Sequence, residues 1–67
     1  MKLVGKSLKG KNRIRELGSE WKLIQTVMAV GFSSEPGPWL MVEPISNSNK
    51  GRWIHKTNDI DFIILEG

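Results

Sequence analysis

The polar run Ser46, Asn47, Ser48, Asn49, Lys50, Gly51 constrains this chain more than any other stretch. Segments rich in Trp, Leu, Val and Ile flank it on both sides, from Trp39 to Ile54. Such a run between apolar stretches has the composition of a hairpin loop, not of a buried crossing. A β-hairpin follows. If Val42 and Ile54 face the core, side-chain alternation sends Glu43 with Trp53, and Met41 with His55, to the opposite face. Trp39 joins that outer face by the same parity.

Sixty-seven residues are expected to make one domain, close to the lower size at which a chain buries enough apolar surface to fold alone. The composition, 39% hydrophobic and 25% charged, is that of a soluble globular protein, and no apolar stretch is long enough to span a bilayer. A secretory signal is not expected, because Gly5, Lys6, Ser7, Lys9 and Lys11 interrupt any apolar run near the start. The expected location is cytoplasmic. The absence of cysteine excludes disulfides, thiolate catalysis and cysteine zinc sites, so stability must come from packing or oligomerisation.

Around the hairpin the chain divides at glycines and polar clusters. A weak or edge strand is expected over Leu3–Leu8, a turn at Lys9–Lys11, and a strand over Asn12–Leu17 with Ile14 inward and Arg13 and Arg15 outward. Residues 1–11 form a basic N-terminal arm or edge strand. Gly18, Ser19 and Glu20 mark the next turn. Trp21–Val30 reads as a strand in preference to a helix, since Trp, Ile, Thr and Val recur in it and no good cap opens it. Its two faces are both partly apolar, and a long strand that bends, with a bulge, would bury parts of each. Gly31–Pro38 is a turn-rich loop from which Phe32 folds back to cap the core. Lys56–Asp61 forms a short turn, with a single 3₁₀ turn before the last strand, Phe62–Leu65.

Together these elements give an all-β chain: a small five-stranded antiparallel meander in a partly open barrel. The basic strand KNRIRELG, the turn Gly18 to Trp21, the loop before Trp39, the polar loop before Arg52–Ile54 and the turn Thr57–Asp61 resemble, in order and placement, an SH3-like barrel. That resemblance implies a fold shared by many unrelated functions. KNRIRELGSEWKLIQTV is also similar in strand and turn pattern to the early part of the small plasmid-type dihydrofolate reductases, which are SH3-like. Their ligand-contacting motif Val-Gln-Ile-Tyr is not reproduced by RWIH, where Ile54 alone matches, so no catalytic residue carries over.

The candidate contact surface consists of Trp39, Met41, Arg52, Trp53 and His55, joined by Arg13 and Arg15. Aromatic and apolar groups rimmed by arginine suit a protein interface or the stacking of bases. Lysines and arginines in the first fifteen residues add a basic character to a chain whose net charge is only +3. The leading expectation is a non-enzymatic binding module for protein contact or self-association, a homodimer or higher oligomer. The alternative is a small basic nucleic-acid-binding protein. No cofactor or metal is expected. His55 lacks a partner spacing for catalysis, and Asp59 and Asp61 lack the further oxygens of a calcium loop, so they read as turn formers.

Overall fold

A computed structural model describes residues 1–65. Five strands fall into two antiparallel sheets with one helix beside them: β1 (Lys2–Gly5), α1 (Leu8–Leu17), β2 (Trp21–Val27), β3 (Trp39–Pro44), β4 (Arg52–His55) and β5 (Phe62–Leu65). β1 pairs with β5, and β2, β3 and β4 form a meander. A bridge between Lys2 and Glu20 and backbone bonds from Leu3 N to Ser19 O and from Trp21 N to Met1 O, both 2.9 Å, link the sheets. The ladder does not close into a barrel. Among the described residues, no helix is long and apolar enough to cross a membrane.

The expected strand Asn12–Leu17 is instead the second half of α1, and the expected turn at Lys9–Lys11 lies inside that helix. Ser7 caps it, its hydroxyl accepting from Gly10 N at 3.0 Å. Gly18 ends it at φ 89°, a left-handed backbone suited to glycine, with its N–H donating to Ile14 O at 2.7 Å. Gly10, Ile14 and Leu17 recur at helical spacing and form the inward stripe. Gly10 is required there because the helix backbone lies directly on the carbonyl of Asp61, where a Cβ would overlap it.

The hairpin has the expected inner face. Val42 and Ile54 are fully buried, and Leu40 stands opposite Ile54. These side chains pack with Leu3, Leu17, Trp21 and Phe62 into the core, with Trp21 and Phe62 rings 6.0 Å apart. The register of β2 on β3 slips between Leu23 and Gln25, so the expected bulge is present and Ile24 is its extra residue. Beyond Trp21 the strand is largely exposed on both faces.

The 3₁₀ turn lies elsewhere than expected. It forms over Ser48–Lys50 in the hairpin loop, where Asn47 Oδ1 accepts from Asn49 N at 3.1 Å. Residues 56–61 instead wrap around the Asp59 carboxylate, which accepts from His55 N at 3.0 Å and from Asp61 N and Phe62 N at 3.0 and 3.1 Å. One side chain therefore supplies the bonds that a helical turn would have made.

Candidate binding surface

The outer face of the hairpin places Trp39 opposite His55 and Met41 opposite Trp53. Parity thus brings these four together as expected, but cover divides them. Trp39 and His55 are buried, at 8% and 4% exposure, which corrects their assignment to an open contact face. Met41 and Trp53 are partly buried.

The cover comes from the loop Gly31–Pro38. Gly37 N donates to Met28 O at 2.6 Å, and Lys56 N donates to Pro38 O at 3.0 Å, anchoring the end of the loop that leads into β3. Trp39 Nε1 donates to Glu35 O at 3.0 Å. His55 Nδ1 accepts from Thr57 N and Asn58 N at 3.2 and 2.9 Å, so the other nitrogen carries the proton and donates to Pro36 O at 2.9 Å. His55 is therefore a clamp between the loop and the turn after β4. Its ring meets Trp39 edge-on at 4.8 Å.

Phe32 does not cap the core. It is 67% exposed and stands edge-on to Trp39 at 5.6 Å, because the loop uses its backbone, not this ring, to close over Trp39. Phe32, Trp39, Trp53, His55 and the 78% exposed Ile60 surround an aromatic cleft of about 240 Å³. Glu35, Asn58 and Asp59 also line it, with Asn58 Nδ2 donating to Glu35 Oε1 at 3.1 Å. Phe32 and Ile60 were missed as surface residues. The available signal was their position in loops, where an apolar side chain need not follow sheet parity.

Arg52 is not a free cation beside Trp53. Alternation turns it to the inner side with Ile54, where its Nη2 lies 3.2 Å from Asp61 Oδ2 and its guanidinium sits 4.8 Å above the Phe62 ring. Asp61 also accepts from the Ser7 hydroxyl at 2.6 Å. That bond is the main cause of a carboxyl held below its ordinary value of 3.8; burial opposes the shift, and Arg52 assists it. Asp61 is thus more than a turn former, since it ties the helix cap to β4.

Arg13 and Arg15 do not share a face, because two residues along a helix point in nearly opposite directions. Arg15 is exposed in the last turn, while Arg13 is partly buried beside a second cavity of about 210 Å³. Lys50 and Arg52 also line that cavity. Among the described residues, no cluster of three or more His, Asp or Glu side chains is arranged to hold a metal ion. No family model, curated protein or solved structure matches this chain.

Proposed function

We propose that the chain is a non-enzymatic binding module that self-associates through the aromatic cleft. The observation that carries this reading is the exposure of Phe32 and Ile60, at 67% and 78%, beside a cleft that includes Trp39 and Trp53. Aromatic anchors in a pocket bordered by apolar side chains are the composition of contact hot spots between proteins. Carboxylates at Glu35 and Asp59 line this cleft, which disfavours a phosphate backbone and favours an apolar segment with a basic neighbour. A second copy supplies such chemistry, since Leu8 is 76% exposed on α1 next to Lys9. The link from β1 to the start of β2 supports reading the two sheets as one partly open SH3-like barrel, in the order β5, β1, β2, β3, β4.

Sedimentation across a concentration series tests this, using the unaltered chain, Phe32→Ser and Ile60→Ser at low and high salt. The unaltered chain should associate with little response to salt, and both variants should remain monomeric at the same concentrations. A monomeric unaltered chain, or variants that associate as well as it does, would overturn the proposal.

A further inference from the structure

The cavity between α1, the hairpin loop and β4 gathers cations from three separate parts of the chain: Arg13, Lys50 and Arg52. We propose that this notch is a binding site for a phosphate group, independent of the aromatic cleft. Asp61 pairs with Arg52, and no carboxylate lines the notch among the described residues, so two of the three charges stay uncompensated there. Leu17 and Trp21, both buried, form its apolar wall. An apolar wall keeps the local dielectric low and strengthens the attraction of the notch for an anion.

Arg52 adds a second, independent observation. Its Nε is buried and has no hydrogen-bond partner among the described residues. Asp61 and the Phe62 ring hold the guanidinium in place, so its charge is fixed at the edge of the notch before any ligand arrives. The guanidinium fork and the ammonium approach from different elements, which suits a compact anion with several acceptor oxygens. A phosphate group meets that description, and a cavity of about 210 Å³ has room for it with bridging water. A free phosphate compound and the backbone of a single-stranded nucleic acid present this same group.

The test is an NMR titration of the isotope-labelled full chain with inorganic phosphate at fixed ionic strength, with chloride as the control. Phosphate should give saturable shifts at the Gly51 and Arg52 amides and the Trp21 indole. The double variant Arg13→Gln, Lys50→Gln should weaken binding about tenfold or more. Both positions lie outside the buried core, so the unfolding midpoint of this variant should be retained. Arg52→Lys, which keeps the charge and loses the fork, should also weaken phosphate binding. Equal shifts with chloride, or a double variant that binds phosphate as the unaltered chain does, would overturn the site.

A ten-residue oligothymidylate tells the two sources apart. Backbone recognition would give a salt-dependent affinity whose log–log slope falls by about 0.7 in Lys50→Gln, the amount for one single-strand phosphate contact. Phosphate binding without oligothymidylate binding keeps the site and assigns it to free phosphate compounds.

Discussion

The two clefts both border on Arg52, and they differ in what their polar atoms are doing. In the aromatic cleft, the indole nitrogen of Trp39, both ring nitrogens of His55 and both carboxylate oxygens of Asp59 are committed to bonds within the chain. What it has left to offer is apolar surface with the Glu35 carboxylate beside it. In the basic notch, Arg13 and Lys50 have no carboxylate partner among the described residues. Satisfied polar atoms make a rigid scaffold, whereas unsatisfied ones make a demand for a ligand. The difference is what the two proposals, a contact surface and an anion site, rest on.

If the clamped loop really makes Trp39 part of the interior, Trp39→Ala should behave as a core deletion and cost about 3–5 kcal/mol in denaturant unfolding. The ring is buried, packs against both Phe32 and His55, and holds the loop through its indole nitrogen. A loss below about 1 kcal/mol, the ordinary range for a surface site, would return Trp39 to the open face and enlarge the aromatic cleft.

Asp61 sharpens the other side of the comparison. Asp61→Asn should cost about 1–3 kcal/mol near neutral pH, since it removes the charge that Arg52 and the Ser7 hydroxyl are arranged around. The pH dependence has a definite sign. A carboxyl whose value is lower in the folded than in the unfolded chain contributes its full stabilisation above the unfolded value, here near 3.8, and loses it as pH falls through the folded value. Stability curves of the unaltered chain and Asp61→Asn should therefore stay apart above about pH 4 and converge below it. A constant gap down to pH 2 would mean that the Asn variant fails for packing reasons alone.

Much of the meander was legible because it obeys local rules. Alternation placed Val42 and Ile54 inside, and Trp21 opens a bulged strand as expected, although β2 stops at Val27 and not Val30 and leaves both its faces largely exposed. The helix was hidden because Gly10 carries the sign of a turn, although its role is to let α1 lie on the Asp61 carbonyl, some fifty residues away in the chain. Ser7 and Gly18, the caps, with Ile14 and Leu17 between them, were the local signal that outweighs one glycine. Sheet parity grouped Trp39, Met41, Trp53 and His55 correctly, yet parity reports a face and not its cover. Whether a face meets water depends on where Gly31–Pro38 folds, which rests on bonds to Met28 and Lys56 that no period in the sequence records. Arg52 was misplaced against the same parity, which sets it on the inner side with Ile54, where Asp61, just before β5, meets its charge.

Phe32→Ser marks the small end of the scale and is the sharpest discriminator between scaffold and surface. The ring is mostly in water and gives up one edge-on contact to Trp39, a pair worth about 0.5–1.5 kcal/mol beyond burial. The loop keeps its own anchors, from Ser33 Oγ accepting Glu35 N to the Gly37 N bond on Met28 O, and none of them involves the Phe32 side chain. The unfolding free energy of a dilute monomer should therefore fall by no more than about 1 kcal/mol, far below the cost of Trp39→Ala. A loss comparable to that of Trp39→Ala would show that Phe32 closes the interior, and the aromatic cleft would then be an extension of the core.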